Sequence, residues 1–216
     1  MTRTVVVLVA SFPYSIVETA ERAPAILKIT HNSQELGHGL ADVLFGDENP
    51  GGRLVQTWLR TVDDLPPMLD YDLRLGRTYL YFEGSPLYPF GYGLSYTTFE
   101  YGAVRAEVAT VRAGGSVNVS VELTNTGKRA GDEVVQLYAK MPDSRVKRPN
   151  RQLVAFRRVR LGPGESRTVA LGFGTRELAY WDVRKQCFIV ESGRVELEIG
   201  RSARDVVTTT GVEVVA

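Results

Sequence analysis

The chain has 216 residues, and its 26 lysines and arginines nearly balance 25 aspartates and glutamates, for a formal net charge of +1. Without an acidic or basic tail, this balance excludes the electrostatic footprint of a nucleic-acid-binding protein. The single cysteine excludes an internal disulfide framework. No apolar run is long enough to span a bilayer, and the run that starts at Val5 is too short for the core of a signal peptide.

The first 60 residues predict a β-α-β-α order. The predicted segments are a strand at residues 5–10, a short helix at 15–22, a second buried strand at 25–29 and a helix at 33–45. The first strand is a continuous β-branched run, which is typical of a parallel sheet covered on both faces. The second helix has a core-facing stripe at helical spacing: Leu36, Leu40, Val43 and Leu44. Gly46 is expected at its C-terminal cap, before a turn at residues 49–52.

Two parallel strands do not make a sheet that can stand alone, because their edges and faces need further strands and helices. The chain nevertheless begins at a strand of central character. We therefore expect the chain to be truncated, with the first part of its α/β domain missing.

From Phe99 onward the apolar period changes to two, which predicts strands with one buried face. The alternation is clearest in two sets: Val117, Val119, Val121 and Leu123, and Val195, Leu197 and Ile199. Further strand candidates are residues 134–138, 159–161 and 169–173, and turn signals lie at residues 113–115, 125–127, 162–164 and 192–193. This pattern of about six or seven short strands favours an immunoglobulin-like β-sandwich.

The two halves are connected by an unusual segment from Pro86 to Tyr101, which is rich in aromatic residues around Gly91 and Gly93. Surface loops are less aromatic, and core strands contain less glycine and proline. The segment therefore predicts a fixed joint between two domains and not a flexible linker. Upstream, residues 60–84 are irregular, and the prolines at 66 and 67 indicate a surface loop.

Seven segments, in order and with sensible spacing, resemble the C-terminal part of glycoside hydrolase family 3, the β-glucosidase and β-xylosidase family. They are ADVLFGDENPGGRL (41–54), YDLRLGRTYLYF (71–82), PLYPFGYGLSYTTFEY (86–101), GDEVVQLYA (131–139), RQLVAFRRVRLGPGESRTVALGF (151–173), ELAYWD (177–182) and FIVESGRVELEIG (188–200). The chain departs from the family at residues 32–37, where relatives have a Gly-rich run, and at Val55, where proline often follows Leu54. These departures weaken any assignment of the substrate.

The resemblance implies an α+β multidomain fold. It places the end of an α/β sandwich domain, a partial parallel-sheet unit, at residues 1–60. An irregular aromatic connection follows at residues 61–98, and a fibronectin type III-like β-sandwich of the immunoglobulin type at residues 99–216.

The chemistry of retaining glycosidases needs two carboxyl groups about 5–5.5 Å apart. The resemblance implies that the nucleophilic Asp comes from an N-terminal barrel and that the acid/base Glu lies upstream of this chain. We therefore expect no catalytic, cofactor-binding or metal-binding residue in the chain, and no hydrolysis by the chain alone. Whether it is an enzyme in its own right stays open.

Several carboxylate and imidazole side chains of the first half are candidates for a catalytic or metal-binding site. Glu35 and Asp42 lie near one helix face, but carboxylates there are usually solvated, so a catalytic pair is disfavoured. Asp47 is expected to cap the helix or support the turn. His31 and His38 are seven residues apart, which is not the spacing that places two imidazoles on one ion, so metal binding is disfavoured as well.

Cys187, beside a strand-like run, is expected to be a small buried or half-buried side chain. Trp58 and Trp181 are interpreted as anchors of a core or of the seam between domains. Asn118 begins a glycosylation sequon, but inside a predicted strand such a match is weak. The basic loop at residues 140–151 is interpreted as an exposed strand connection, with contact to an acidic partner as the alternative.

An aromatic belt is the most ambiguous candidate. Its members are Tyr79, Tyr81, Phe82, Tyr88, Phe90, Tyr92, Tyr96, Phe99 and Tyr101. An interdomain seam, in which tyrosine buries its ring and hydrogen-bonds through its hydroxyl, is favoured over a sugar-binding platform. Arg74 and Arg77 are expected to pair with acidic loops there or with the missing barrel.

Two functional hypotheses follow. In the first, the chain is the C-terminal fragment of a retaining exo-acting β-glycosidase for terminal β-linked glucose or xylose, and it supports the barrel structurally. Its partners are then the missing barrel and the first part of the sandwich domain, and the glycoside binds only to the complete enzyme; no nucleic acid or membrane is involved. The alternative is a non-catalytic carbohydrate- or protein-binding sandwich. The compartment stays open, although the resemblance allows a secreted or periplasmic parent.

Overall fold

The structure is a computed structural model that describes residues 4–216. Residues 1–3, which open the stretch that is too short for a signal peptide, lie outside the described residues. The helices are α1 (Val17–Arg22) and α2 (Leu36–Phe45), with short 3₁₀ turns at Ser33–Glu35, Val62–Asp64, Leu73–Leu75 and Thr175–Leu178. Within residues 4–216, no helix has the length and apolarity needed to cross a membrane.

The strands of the described part are β1 (Val5–Val9), β2 (Ala25–Ile29), β3 (Phe99–Tyr101), β4 (Arg105–Ala106), β5 (Thr110–Arg112), β6 (Ser116–Asn125), β7 (Gly131–Lys140), β8 (Gln152–Leu161), β9 (Ser166–Gly174), β10 (Tyr180–Asp182), β11 (Cys187–Ile189), β12 (Gly193–Ser202) and β13 (Asp205–Val215). The chain is thus mostly β, with its helices confined to the first 50 residues apart from single 3₁₀ turns.

The N-terminal α/β unit has the predicted elements but little burial. β1 and β2 pair in parallel, from Val5 opposite Ala25 to Val9 opposite Ile29, which confirms the parallel arrangement. α2 ends at Gly46 as predicted, with a φ of +85° that glycine adopts without strain. The predicted cover of both sheet faces does not come from residues 4–216, because neither helix has a buried residue and both ends of β1 are exposed.

The C-terminal half is a sandwich of two sheets. One sheet has the order β5-β13-β12-β7-β8. In the other, β6 pairs with β9 along one edge and with β3 and β4 along the other. The fully buried core between the sheets contains Val117, Val119, Val121, Leu123, Val135, Leu137, Leu161, Val169, Val195, Leu197 and Ile199. Both predicted alternating runs therefore face the core, and the prediction of a β-sandwich is confirmed.

The sequence prediction missed β13, together with the short strands β3–β5 and β10, whereas β11 coincides with the strand-like run noted beside Cys187. β13 pairs with β12 from Val214 opposite Gly193 to Asp205 opposite Ser202, and in parallel with β5. Its run of threonines and Gly211 hide the two-residue period, so only the pairing with β12 reveals the strand.

Candidate functional site: the aromatic joint and the cavity beside it

Among the acidic and histidine candidates of the first half, Asp42 is half-buried, and His31, Glu35, His38 and Asp47 are exposed. Glu35 pairs with His38 at the start of α2, with 2.6 Å between Oε2 and Nδ1, and both side chains are exposed. The side chain of Asp47 makes no hydrogen bond within the described residues, so the expected capping or turn role is wrong; the helix end is closed by the Gly46 N–H, which donates to the Val43 carbonyl. Within residues 4–216, no three histidine, cysteine or acidic side chains are grouped to hold a metal ion. That none of these residues is catalytic stays a prediction.

The two tryptophans differ. Trp58 is 2% exposed and packs edge-on against Tyr88, with ring centroids 6.2 Å apart, which confirms it as an anchor. Trp181 is 47% exposed, so the anchor interpretation is wrong for this residue. It lies opposite Phe188 in the β10–β11 hairpin, and the two rings make an edge contact at 5.2 Å on the solvent side. A period-two pattern in so short a hairpin does not tell the inner face from the outer one.

Cys187 of the same hairpin and Asn118 of β6 differ in how they match expectation. Cys187 is exposed, and the expectation of a buried thiol is wrong, because it lies opposite Asp182 in a hairpin that stands off the core. Asn118 lies inside β6 as predicted and donates to the Glu107 carboxylate at 3.0 Å.

The basic loop at residues 140–151 is only partly an exposed connection. Arg145 is exposed as predicted. Arg148 instead donates to the Leu178 carbonyl at 2.6 Å, and burial lowers the pKa of its guanidinium. Lys147 donates to the Arg74 carbonyl at 3.0 Å, so the loop also ties the sandwich to the connecting segment.

Arg74 and Arg77 hold the segment that precedes the joint. Arg74 binds Asp72 through two nitrogens, at 2.8 and 2.7 Å, and these hydrogen bonds lower the pKa of the Asp72 carboxyl to about 2. The guanidinium of Arg77 donates to three main-chain carbonyls, those of Pro67, Met68 and Asp70. Arg74 therefore has an acidic partner as predicted, whereas Arg77 clamps its own loop.

The first part of the aromatic belt packs on the sandwich. Tyr79 stacks on Phe90 with ring centroids 4.2 Å apart, and its edge meets Tyr138 of β7 at 6.3 Å. Burial raises the pKa of Tyr79, whose hydroxyl oxygen accepts a hydrogen bond from the Leu153 N–H at 3.1 Å. A ring that packs against two other rings and is held at its hydroxyl is typical of a seam.

In the second part of the belt, Tyr88 packs edge-on against Trp58. Tyr88 stacks on Tyr92 at 5.2 Å. The Tyr96 hydroxyl donates to the Val43 carbonyl at 2.8 Å and so reaches α2. The remaining members are placed as follows: Phe82, Phe99 and Tyr101 are buried, and Tyr81 lies below the Lys147 ammonium. Five further members are half-buried and Tyr96 is 44% exposed. The packing of most rings against other side chains of the same chain supports the seam interpretation over an open sugar platform.

A buried amide fixes the joint on the sandwich. Gln136 of β7 donates to the carbonyls of Gly91 and Arg201, at 3.1 and 2.7 Å, and its own oxygen accepts from the Tyr138 hydroxyl at 2.6 Å. Gly91 has a φ of +82°, and a Cβ there would lie 2.0 Å from the Gln136 oxygen. Only glycine therefore allows this approach.

Two further polar anchors were missed by the sequence analysis. Asn49 accepts from the Tyr96 N–H at 2.8 Å and donates to the Ala130 carbonyl at 3.0 Å. Arg53 and Glu133 form a buried ion pair at 2.7 Å, with side-chain exposures of 8% and 4%. The partners of this pair are 80 residues apart, and the sole sequence hint was the turn signal at residues 49–52.

A cavity of about 530 Å³ opens beside the joint. Its wall combines the loop after β1, the segment before the joint and two rings of the belt: Pro13, Tyr14, Ser15, Val55, Gln56, Thr57, Leu59, Thr61, Val62, Leu65, Arg77, Thr78, Tyr79, Leu80 and Phe90. Among the described residues, no aspartate or glutamate lines it. The Thr57 hydroxyl is buried in this wall without a hydrogen-bond partner among the described residues.

Two family models match the chain. The glycosyl hydrolase family 3 C-terminal domain matches residues 1–96, and the fibronectin type III-like domain matches residues 133–203.

Among curated relatives, the β-xylosidase of Formosa agariphila is 39% identical over 206 residues, which are 93% of this chain and 28% of that protein. The thermostable β-glucosidase B of Acetivibrio thermocellus is also 39% identical, over 90% of this chain and 27% of that protein. The chain thus spans little more than a quarter of the length of these relatives.

Solved structures agree. The β-glucosidase of Kluyveromyces marxianus in complex with glucose superimposes with a TM-score of 0.90 at 32% identity, over 99% of this chain and 27% of that one. The β-D-glucoside glucohydrolase of Trichoderma reesei gives 0.88 at 30% identity, over 98% and 33%. Sequence and fold together establish that the chain belongs to glycoside hydrolase family 3 and corresponds to the C-terminal part of its β-glucosidases and β-xylosidases, the end of the α/β sandwich domain followed by the fibronectin type III-like domain.

Proposed function

We propose that this chain is the C-terminal portion of a retaining exo-acting β-glycosidase that releases terminal β-linked glucose or xylose. In this role it completes the α/β sandwich domain and braces the catalytic barrel, and it does not hydrolyse glycosides alone. The proposal takes its substrate class from the names of the relatives, a β-xylosidase and a β-glucosidase.

The residues that line the cavity beside the joint support the proposal that the isolated chain has no catalytic activity. A retaining double displacement needs a nucleophilic carboxylate and a second carboxyl group about 5–5.5 Å away. The cavity beside the joint has the size for a sugar, but none of its lining residues is acidic. The acidic candidate Glu35 is engaged by His38 at the surface.

The bracing role is supported by the joint. Buried contacts from Gln136 and the Arg53–Glu133 pair hold the α/β unit and the connecting segment on β7. Such buried contacts hold the two domains in a fixed relative orientation, which a flexible linker would not do. The uncovered faces of β1 and β2 supply the complementary surface for the rest of an α/β domain.

Hydrolysis of nitrophenyl β-glucoside and nitrophenyl β-xyloside tests the proposal. The purified chain is measured alone and after mixing or co-expression with the remaining N-terminal part of the Formosa agariphila relative. We expect no hydrolysis by the chain alone and hydrolysis in the mixture. Turnover by the chain alone would overturn it and return attention to Glu35, Asp42 and Asp47.

A non-catalytic binding module is the second candidate, and one observation favours it. Trp181 and Phe188 form an exposed aromatic pair on the β10–β11 hairpin, and exposed aromatic surface often marks a binding site. Retention of the chain on insoluble xylan or β-glucan, lost in Trp181→Ala, would support this function. If the wild-type chain and Trp181→Ala both pass through without retention, the binding-module function is excluded.

A further inference from the structure

The hairpin of β10 and β11 presents an aromatic face to solvent. Trp181 and Phe188 are directly opposite each other in the register of the two strands, and their rings meet at 74° with centroids 5.2 Å apart. Trp181 is 47% exposed and Phe188 is 71% exposed. Because side chains alternate along a strand, Tyr180 and Ile189 lie on the other face, and both are half-buried. Two large rings exposed side by side form a contact surface and not a part of the core.

The base of the hairpin is held firmly on the sandwich. The Arg148 guanidinium lies over the Tyr180 ring, 5.0 Å from its centroid, and donates to the Leu178 carbonyl at 2.6 Å. Arg148 also donates to the Ser144 hydroxyl at 3.2 Å, and that hydroxyl donates to the buried Glu191 carboxylate at 2.5 Å. Leu178 before the hairpin and Glu191 after it are therefore tied to the same basic loop, which fixes the position of the aromatic face.

The turn of the hairpin carries two cations. Arg184 and Lys185 lie in this turn, and both are exposed. Asp182, the sole acidic residue of residues 180–190, accepts hydrogen bonds from the main-chain N–H groups of Lys185 at 3.1 Å and Arg184 at 2.8 Å, which lower the pKa of its carboxyl. Neither basic side chain forms an ion pair within the described part of the chain. The end of the hairpin therefore has a surplus of positive charge.

The cations and the rings are close enough to contact one ligand. A fully extended chain advances at most about 3.6 Å per residue, so the Cα atoms of Trp181 and Arg184 lie within about 11 Å of each other. The turn is also preformed: the Gln186 N–H donates to the Asp182 carbonyl at 2.8 Å, and the Gln186 amide donates to the Val183 carbonyl at 2.7 Å. A ligand that lies across the rings reaches the cations without rearrangement of the main chain.

We infer that this face of the hairpin binds a polysaccharide that carries carboxylate groups, with a sugar ring against Trp181 and Phe188 and a uronic acid near Arg184 and Lys185. The inference deepens the second candidate function, the binding module, and rests on it. The C–H face of a sugar ring is apolar and packs on aromatic rings, while carboxylates pair with guanidinium and ammonium groups. The charge at the turn then selects acidic polysaccharides over neutral ones.

An anionic bilayer also attracts aromatic and basic side chains, but the order of the groups along the hairpin disfavours it. In an interfacial segment the apolar side chains enter the acyl boundary, and the cations stay at the level of the headgroups. Here Arg184 and Lys185 lie at the end of the hairpin, and the aromatic pair lies behind the turn. The cations would have to enter the bilayer first. A polymer that lies along the hairpin meets the rings and the cations together.

The test uses one polymer in two forms. Binding of the full chain is measured by affinity electrophoresis and calorimetry with soluble glucuronoxylan, a xylan that carries uronic acids, and with the same polymer after reduction of its carboxyl groups to alcohols. The wild type should bind the acidic form about fivefold more tightly, because exposed ion pairs contribute modestly. This preference should disappear in about 1 M salt, which screens exposed charges.

Two double variants separate local from overall charge. Arg184→Gln with Lys185→Gln should lower the affinity for the acidic polymer to that for the reduced polymer and leave the latter unchanged. Arg105→Gln with Lys128→Gln is the matched control, because it removes two exposed cations from β4 and from the turn after β6. The control should change either affinity less than about twofold. Trp181→Ala should weaken binding of both polymers, since it removes the ring that both contact.

The outcomes separate the inference from the function on which it rests. Equal affinity of the wild type for the two polymers, or equal losses in the two double variants, would overturn the inference and leave the binding module standing. A wild-type chain that binds neither polymer would overturn both. Co-sedimentation with phosphatidylserine vesicles that is lost in the Arg184 and Lys185 variant, without preference for the acidic polymer, would replace the polysaccharide by a bilayer and overturn the inference.

Discussion

The β-sandwich and the α/β unit of this chain differ in how much of their apolar surface they bury. In the sandwich, each of two sheets covers the other, and residues such as Leu137 and Leu197 have no exposed surface. In the α/β unit, neither helix has a buried residue, and β1 and β2 form a sheet of only two strands.

The difference teaches which part of the fold is self-sufficient. Apolar burial supplies most of the favourable free energy of folding. The sandwich is therefore stabilised by its own core, whereas the α/β unit depends on contacts made through the joint. The contacts that link it to the joint and the sandwich include the Arg53–Glu133 pair, the hydrogen bond of Asn49 to the Ala130 carbonyl and the buried ring of Trp58 against Tyr88.

The largest expected effect contrasts the two regions directly. Leu197→Ala in the sandwich should lower the free energy of unfolding by about 4 kcal/mol, because it leaves a cavity in a closed core. Leu40→Ala on α2, which is only half-buried, should cost less than about 1 kcal/mol in the same chain. Urea unfolding followed by tryptophan fluorescence and circular dichroism measures both. Equal losses for the two variants would contradict the contrast.

The joint should be the next most sensitive place. Arg53→Leu leaves the Glu133 carboxylate buried without its cation and should cost about 3 kcal/mol. Replacing both residues by leucine should recover much of this loss, since no uncompensated charge remains. A double-mutant cycle by urea unfolding gives the coupling. A double variant no better than Arg53→Leu would show that packing and not charge sets the cost.

Alkaline pH should act on the sandwich through its buried tyrosines. Burial raises the pKa of Tyr138 and of Tyr101 above the usual value near 10. The unfolded chain therefore releases these protons first, so stability is constant below about pH 10 and falls as pH rises beyond it. Tyr138→Phe should flatten this decline. Unfolding free energies at pH 8 to 11 test it, and an unchanged slope would exclude Tyr138 as a contributor.

The smallest effect sharpens the comparison within the α/β unit. Ser33 has a φ of +65° at the start of the helical segment, a conformation that strains a residue with a Cβ. Ser33→Gly should stabilise the segment by about 0.5–1 kcal/mol, with slower amide exchange in α2. Asn32→Gly is the matched control, because Asn32 has a φ of −97° and gains nothing from glycine. Faster exchange in Ser33→Gly would argue that the strain is not present.

The predicted elements with a strong period were found correctly. The alternation of β6 and the helical spacing of α2 each depend on one local repeat. β13 was missed because its threonines hide any alternation of apolar and polar residues. Its pairing with β12 and β5 is also a property of the tertiary structure and not of the local sequence. Trp181 and Cys187 were misplaced because a hairpin of three residues on each side does not state which face meets the core.

The aromatic joint was predicted as a rigid seam, but the polar groups that make it rigid were not. Gly91 was recognised as a pivot, whereas its partner Gln136 lies in what reads as an ordinary strand. The cavity beside residues 54–59 had no sequence signal, because its wall combines segments from positions 13 to 90.

Local pattern thus determined the secondary structure, the sandwich and the resemblance to family 3, because hydrophobic period and turn chemistry are properties of neighbouring residues. Tertiary structure decided which polar side chains are buried together and which aromatic rings are covered. These depend on contacts between residues far apart in the chain, such as Arg53 with Glu133, and a buried charge is stable only where its distant partner arrives with it.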